Sequence, residues 1–166
     1  MPEVPPNVAI RRIGVDELSI VQQLAEEVWP HAFEGVIQRH QIEIMLGDIY
    51  ALESLENEMT ALGHLFWVAR HEGLDSGFVS AFKRGDTTWI KKLYILPRKQ
   101  GIGIGRALIE TAVTHFAPSK AISLNVNNGN ARAIEFYKKY GFAIAEEVPV
   151  KMGPFDFTDY VMTKAL

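Results

Sequence analysis

Cysteine is absent from this sequence of 166 residues. A disulfide framework, a thiolate zinc site and a cysteine nucleophile are therefore excluded. The five histidines form neither an H-x-x-H nor an H-E-x-x-H pattern, so the sequence predicts no metal site. The missing cysteines also fit a reducing compartment, and we expect a cytoplasmic protein.

Positive charge and long apolar segments are scarce as well. The formal net charge is −3, whereas a nucleic-acid-binding domain usually carries a basic stripe. No apolar run approaches the roughly 18 residues that a membrane span needs. The start of the chain, MPEVPPNVAI, has neither the basic region nor the apolar stretch of a signal peptide. We therefore expect no nucleic-acid partner and no membrane association.

The composition is typical of an ordinary folded domain. Hydrophobic residues make up 48% and charged residues 22% of the chain. A length of 166 residues suits one domain, and the sequence shows no repeat, low-complexity segment or linker. We therefore expect a single domain over residues 1–166.

Hydrophobic periodicity divides the chain into strands and helices after a Pro-rich lead-in. Apolar runs between turn residues predict strands at residues 8–13, 64–72, 76–84, 87–97, 120–126, 142–150 and 159–166. Apolar residues at helical spacing predict helices at residues 14–29, 37–58, 103–116 and 130–140. Three successive strands with short turns indicate an antiparallel meander. This order predicts an α/β (α+β) fold with a single mixed, mostly antiparallel central sheet flanked by helices.

Capping and breaking residues set several predicted helix ends. Asp16 is a candidate N-cap of the first helix, and Pro30 is expected to end that helix. Gly47 weakens the second helix in its middle. Asn130 is a candidate N-cap of the last helix, which is expected to end at Gly141.

The stretch RKQGIGIGRALIE, residues 98–110, places Gly101, Gly103 and Gly105 before a predicted helix. Glycine loses more conformational entropy on folding than any other residue, so alternate glycines need a physical reason. A helix N-terminus attracts anions, and bare main chain lets a phosphate compound come close.

Two common phosphate-binding patterns do not fit this turn. The dinucleotide fingerprint requires Gly or Ala where Arg106 or Leu108 stands, depending on the starting glycine. The Walker phosphate loop requires a second glycine at the position of Arg106. Two interpretations of this turn therefore remain: it binds a phosphate compound of another kind, or it is a glycine-rich turn that binds no ligand.

The pattern Gln100-x-x-Gly103-x-Gly105, between a strand and a helix, resembles the acetyl-CoA-binding signature of the GCN5-related N-acetyltransferases, the GNAT superfamily. The resemblance implies an acyl-CoA N-acyltransferase-like fold and acetyl-CoA as co-substrate. The CoA pyrophosphate would be held by main-chain amides of the turn, which belong to Gln100, Gly101, Ile102, Gly103, Ile104, Gly105 and Arg106. Arg98, Lys99 and Arg106 add positive charge, and contact of their side chains with phosphate stays open.

Two further segments resemble the same family. KKLYILP looks like its fourth strand, whose outer main-chain groups pair with the pantetheine arm; this implies contacts from Leu93, Tyr94 and Ile95. LNVNNGNARAIEFYKKYGF looks like its second signature, and the matching positions are Asn130, Ala133, Tyr137, Gly141 and Phe142. In the family, the strand before the glycine turn and the strand after it splay apart, and the cofactor arm lies in the V-shaped gap between them.

The reaction that the resemblance implies is acetyl transfer from a thioester to an amine. Tyr137 is the candidate proton donor to the leaving thiolate, because the corresponding tyrosine of the family lies near the thioester sulfur. Packing within the aromatic face of its helix is the alternative. Asn130 would contact the CoA arm as well as cap its helix. Main-chain N–H groups near Leu93 and Tyr94 would stabilise the oxyanion.

The general base is not evident from the sequence. Many relatives carry a glutamate on the fourth strand, but this strand reads Trp-Ile-Lys-Lys at residues 89–92. A water chain, bulk solvent or a carboxylate of the first two helices would then take the proton. Glu43 is a candidate for this base, but the favoured interpretation is that it is simply an exposed glutamate on a helix.

The acceptor is suggested by softer signals. VWPHAFEGVIQRHQIEIML and GPFDFTDYVMTKAL resemble a bacterial subgroup that includes polyamine acetyltransferases. Carboxylates that could hold cationic nitrogens are Glu34, Glu43, Asp156 and Asp159, and ordinary solvated surface charges are the equal alternative for all four. We expect acetyl transfer to a primary amine of a polyamine-like small molecule. A protein or peptide N-acetyltransferase and a non-catalytic acetyl-CoA-binding module are the alternatives, and a homodimer through the C-terminal strands is compatible with the resemblance.

Overall fold

The computed structural model describes residues 4–166, so the first three residues of the predicted Pro-rich lead-in lie outside the described residues. Seven strands form one sheet in the order β1-β2-β3-β4-β5-β7-β6. Their bounds are β1 (Val8–Ile13), β2 (Leu65–His71), β3 (Leu74–Arg84), β4 (Thr87–Ile95), β5 (Ala121–Asn127), β6 (Ala143–Met152) and β7 (Phe155–Ala165). The β4–β5 pair is parallel and all other pairs are antiparallel, which confirms the predicted mixed sheet.

Five helices flank the sheet: α1 (Leu18–Ala32), α2 (Arg39–Ile49), α3 (Leu52–Thr60), α4 (Ile104–His115) and α5 (Ala131–Tyr140). Helices α1 to α3 and α4 to α5 contribute to two separate hydrophobic cores. Phe78 and Val79 are adjacent on β3 and belong to different cores, because successive side chains of a strand point to opposite faces. Within residues 4–166, no helix has the length and apolar character needed to cross a membrane.

The single helix predicted over residues 37–58 is wrong. The chain forms α2 and α3 as separate helices, and the break lies at Tyr50 and Ala51. Gly47, which the sequence marked as the weak point, lies inside α2, where a Cβ would have nothing within 4 Å.

The burial of Tyr50 accounts for the break. Its side chain is 1% exposed, and its ring centroid lies 5.4 Å from that of Trp29 and 6.2 Å from that of Phe78. Gln22 donates from Nε2 to the Tyr50 carbonyl at 3.1 Å, so this carbonyl at the helix end has a partner. Aromatic packing on α1 and the sheet therefore decides where the helix ends, and the local glycine does not.

The predicted ends of the first helix are also wrong. Residues Val15–Glu17 form a separate 3₁₀ turn, and the residue before α1 is Glu17 rather than Asp16, with no side-chain cap. Pro30 lies inside α1, which continues to its end at Ala32. A proline in the last turn removes one N–H donor but leaves the preceding turns intact, so it does not stop the helix at once.

The last helix has the predicted ends. Asn130 caps α5, because its Oδ1 accepts a hydrogen bond from the Ala133 N–H at 3.3 Å. Gly141 follows the helix with φ +110°, a left-handed conformation that glycine adopts without a Cβ penalty. This helix lies next to the part of the sheet where β4 and β5 separate.

Candidate active site

A V-shaped gap opens in the middle of the sheet. Strands β4 and β5 pair only from Thr87 with Ala121 to Ile90 with Leu124. Beyond this point β4 continues along β3 and β5 continues along β7, so the two strands part. A bulge in β4 leaves Lys91 without a partner on β3 at the start of the gap. The gap is part of a groove of about 1350 Å³.

The predicted main-chain segment of β4 forms one wall of this groove. Leu93, Tyr94 and Ile95 pair with β3 along one edge, and β5 has left the other edge. The side chains of Leu93 and Ile95 pack against one core and that of Tyr94 against the other. The main chain between them therefore presents an unpaired strand edge to the groove, which an extended ligand could match as an added strand.

The predicted glycine turn forms the neighbouring wall. Gly101 and Gly103 have φ of +83° and +96°, so the turn itself requires glycine at both positions. Gly103 precedes α4 without a side-chain cap, and no described residue accepts from the N–H groups of Ile104, Gly105 and Arg106. These free N–H groups and the helix dipole make this end of α4 suitable for an anion.

Gly105 is not required by the conformation of the turn, but its missing side chain leaves space in the groove. Its φ does not lie in the left-handed region. A Cβ at this position would lie 3.4 Å from Phe136 Cζ and 3.8 Å from Ile95 Cγ1. Both neighbours line the groove, so a side chain at residue 105 would project into it.

The basic side chains that the sequence singled out all have partners on the protein. The pairs are Arg98 with Glu27 at 2.8 Å, Lys99 with His71 at 2.9 Å and Arg106 with Glu110 at 3.2 Å. Lys99 and Arg106 line the groove, and Arg132 of α5, which the sequence reasoning missed, lines it too. Gln100 donates from Nε2 to the Ile95 carbonyl at 3.3 Å and so joins the glycine turn to the end of β4.

Tyr137 reaches the groove from the α4–α5 side of the sheet. The residue is 8% exposed and packs edge to face against Phe136 and Phe142, at centroid distances of 5.3 and 5.6 Å. Burial raises the pKa of Tyr137, so its hydroxyl keeps its proton at neutral pH. The residue thus has the aromatic packing that was the alternative interpretation, and it also lines the groove. Asn130 lines the groove as well.

A buried charged cluster that the sequence reasoning missed lies at the other end of the groove. Lys92 is 4% exposed, and its Nζ donates to both oxygens of Glu58, at 2.7 and 2.8 Å. His64 Nδ1 lies 3.7 Å from Glu58 Oε1, too far for a hydrogen bond. Burial raises the pKa of Glu58, but His64 and Lys92 outweigh it and lower the pKa. The adjacent lysines of β4 were the only sequence signal of this cluster.

Asp159 is the one candidate acceptor carboxylate that lines the groove among the four that the sequence suggested. Glu34, Glu43 and Asp156 are exposed and lie outside the groove. Asp159, on β7, is 7% exposed. Asn125 donates from Nδ2 to Asp159 Oδ2 at 3.4 Å, whereas the buried Oδ1 has no partner among the described residues. Burial raises the pKa of Asp159.

Comparisons with known proteins identify the family of this chain. The family model of the acetyltransferase (GNAT) domain matches residues 62–144, half of the chain, which include the glycine turn, the gap and Tyr137. The chain therefore belongs to the GNAT acetyltransferase family, as its sequence motifs predicted.

Individual relatives share different parts of the chain. The chain is 35% identical over 101 residues to an uncharacterised N-acetyltransferase of Mycobacterium tuberculosis, and the alignment covers 59% of this chain and 65% of that relative. It is 24% identical over 164 residues to the spermidine N(1)-acetyltransferase of Thermoplasma acidophilum, with 95% and 97% of the two chains covered.

A solved structure shares the whole fold. The crystal structure of the PaiA N-acetyltransferase from Thermoplasma acidophilum, in complex with coenzyme A, matches with a TM-score of 0.80 at 22% identity. The match covers 96% of this chain and 99% of the other. At this identity the likeness shows a common fold, and the predicted acyl-CoA N-acyltransferase-like architecture is confirmed.

Proposed function

We propose that this chain transfers an acetyl group from acetyl-CoA to a primary amine of a small molecule, by direct transfer in the groove. The observation that carries the proposal is the parted β4–β5 pair beside the uncapped N-terminus of α4. One wall offers strand hydrogen bonds and the other offers free amides. This combination suits a ligand with an extended amide-containing arm and a diphosphate.

The residues present fit acetyl-CoA along most of its length. Main-chain amides from Gly101 to Arg106 would hold the diphosphate, with Gly105 leaving space for it. The predicted Gln100 amide is not free for this purpose, because its N–H donates to the Pro97 carbonyl at 3.3 Å. The open edge of Leu93, Tyr94 and Ile95 would pair with the amides of the pantetheine arm. When bound, acetyl-CoA supplies a thioester carbonyl that accepts the amine.

Tyr137 supplies the proton that the reaction needs at the leaving sulfur. Its raised pKa keeps the hydroxyl protonated at neutral pH, so it can donate. Main-chain N–H groups of the open β4 edge near Leu93 and Tyr94 are placed to stabilise a developing oxyanion. The side chains of these two residues pack into opposite cores, which holds the main chain in position.

A small amine as acceptor is supported by the other half of the groove. Trp29, Phe33 and Tyr94 form a contiguous aromatic group there, with ring centroids 4.8 to 6.3 Å apart. Asp159 adds a buried carboxylate, and such a mixture of aromatic surface and negative charge suits an alkyl ammonium group. The name of the Thermoplasma relative, a spermidine acetyltransferase, suggests spermidine as the first acceptor to test.

Calorimetric titration with acetyl-CoA is the first test, with ATP and NADH as controls. We expect selective binding with a micromolar-range constant, about −8 kcal/mol. Thiol release would then be followed with spermidine and with a short peptide that has a free N-terminal amine. Preference for spermidine supports the small-molecule acceptor, and preference for the peptide contradicts it. Binding without transfer to either amine would indicate an acetyl-CoA-binding module. A folded chain that does not bind acetyl-CoA would overturn the proposal.

A further inference from the structure

Three carboxylates line the groove, and only one of them is both buried and available. Asp48 is exposed on α2. Glu58 gives both of its oxygens to Lys92, which neutralises its charge. Asp159 is 7% exposed, and its Oδ1 is buried without a hydrogen-bond donor among the described residues. Folding alone does not explain a buried carboxylate oxygen without a partner, because such an oxygen lowers stability.

The position of Asp159 in the sheet places it opposite Tyr137. Phe157, Asp159 and Val161 alternate on one face of β7, and Phe157 packs against the core that α1 to α3 cover. Tyr160 and Met162 point the other way, into the core that contains Tyr137. A group held in the gap between β4 and β5 is therefore reached by Tyr137 from one face and by Asp159 from the other.

Tyr137 and Asp159 both lie near Tyr94 on the open edge of β4. Burial raises the pKa of Tyr94, and nearby Tyr137 and Asp159 raise it further, so the Tyr94 phenol lies within electrostatic reach of both. Asp159 interacts electrostatically with Lys91 and Tyr94 on β4, and the neutral Asn125 on β5 donates a hydrogen bond to it. The pKa of Asp159 is raised because burial outweighs Asn125 and Lys91.

We propose that Asp159 is the general base of the acetyl transfer. The inference rests on the proposed function. An amine is cationic at neutral pH and must lose a proton before its lone pair can attack. Asp159 Oδ1 takes this proton from the ammonium group on the α1–α3 side of the sheet and passes it to solvent in the groove.

With Tyr137 as the proton donor to sulfur, the remaining proton and electron transfers of the reaction balance. The nitrogen lone pair forms the new N–C bond, the C–S bond breaks, and its electron pair stays on sulfur. Tyr137 gives its hydroxyl proton to that sulfur and regains a proton from solvent. The second proton of nitrogen leaves to solvent, so that one proton is released overall. Acid and base stand on opposite faces, and they therefore do not exchange their protons directly.

The variant Asp159→Asn tests the role of the carboxylate. With acetyl-CoA and saturating spermidine, we expect kcat at pH 7 to fall by about 100-fold or more, because general-base catalysis contributes this much. A carboxylate that only bound the ammonium group would raise KM and leave kcat unchanged. The loss should shrink as the pH rises toward about 10, where spermidine loses its own protons. Acetyl-CoA affinity, measured by calorimetry, should stay unchanged. Asp159→Glu should recover part of the rate.

A second measurement needs no substrate. The raised pKa means that ionised Asp159 destabilises the folded chain above the ordinary Asp value of 3.8. This penalty is absent at lower pH, where the carboxyl is protonated in both folded and unfolded states. Asp159→Asn should therefore raise Tm at pH 7, and the gain should vanish as the pH falls below 3.8. A purely structural carboxylate would give a lower Tm on substitution.

Asp86→Asn is the matched control, because Asp86 is exposed in the β3–β4 turn, outside the groove, and should leave the rate and pH profile as they are. If the wild type prefers spermidine and Asp159→Asn keeps its rate and pH profile, the role of Asp159 is overturned while the proposed function stands. If the wild type prefers the peptide, the small-molecule acceptor is contradicted, and the same comparison made with the peptide decides the role of Asp159. If Asp159→Asn loses acetyl-CoA affinity, the residue is structural and the role is also overturned. A wild type that binds no acetyl-CoA, or acetylates neither amine, overturns both.

Discussion

At the scale of the residue, the packing of Tyr137 is compatible with its proposed role as proton donor. Its ring packs against Phe136 and Phe142, and the residue lines the groove. Packing fixes the ring, which reduces the entropy lost when the hydroxyl is used as a proton donor. Burial also raises its pKa and keeps the proton in place. The two interpretations of this residue therefore support each other.

We expect Tyr137→Phe to lower kcat by about 100-fold while acetyl-CoA affinity stays the same, because only the proton donor is removed. Steady-state kinetics and calorimetry on the same preparation measure the two quantities. Tyr140→Phe is the control: that hydroxyl donates to Glu110 Oε1 at 3.1 Å and lies outside the groove. An unchanged kcat in Tyr137→Phe would show that another group protonates the thiolate.

At the scale of the element, the three glycines of the turn are required for two different structural reasons. Gly101 and Gly103 allow the left-handed turn that starts α4, so they are needed with or without a ligand. Gly105 has ordinary helical geometry, and its missing side chain matters only to what lies in the groove. The sequence assigned one reason, the approach of a diphosphate, to all of them. The main-chain dihedral angles distinguish two reasons.

Gly105→Ala isolates the ligand contribution. We expect acetyl-CoA affinity to fall at least 10-fold, about 1.4 kcal/mol, because the new methyl group projects into the groove beside Ile95 and Phe136. Stability should stay the same or rise, since alanine favours a helix by up to about 1 kcal/mol over glycine. Calorimetry and urea unfolding measure the two effects.

Gly47→Ala is the matched control for this change, because residue 47 lies inside α2 with nothing within 4 Å of a Cβ. It should stabilise the chain without any change in affinity. Gly103→Ala should lower stability by about 1–2 kcal/mol, because its left-handed conformation is unfavourable for alanine. Full acetyl-CoA affinity in Gly105→Ala would contradict the placement of the diphosphate.

At the scale of the whole molecule, the residues that line the groove come from both hydrophobic cores of the described chain. The β4–β5 pair joins the two halves of the sheet through just the first part of β4. A ligand that pairs with the open edge of β4 and contacts α4 and α5 would therefore add hydrogen bonds and contacts at the gap, where β4 and β5 no longer pair.

Acetyl-CoA at 100 times its Kd should stabilise the folded chain by about 2.7 kcal/mol. For a chain of this size that corresponds to a rise in Tm of about 5–10 °C. Thermal unfolding monitored by circular dichroism measures the shift, with ATP and NADH at equal concentration as controls. An equal shift with ATP would indicate a nonspecific phosphate effect rather than recognition of the CoA arm.

The sequence by itself determined the family, the mixed sheet and the ends of α5. These depend on local signals, namely the Gln-x-x-Gly-x-Gly turn, alternating apolar strands, and the Asn130 and Gly141 caps. A local signal is reliable when neighbouring residues alone satisfy it, as Asn130 does with the Ala133 N–H.

Only the tertiary structure decided the break between α2 and α3, the pairing of Lys92 with Glu58 and the burial of Asp159. Tyr50 ends α2 because of rings that are distant in sequence, Trp29 and Phe78. Lys92 and Glu58 are 34 residues apart, on β4 and α3, and only the folded chain brings them together. Hydrophobic packing and the neutralisation of buried charge depend on contacts between segments that are distant in sequence. The periodicity of a single segment therefore cannot predict them.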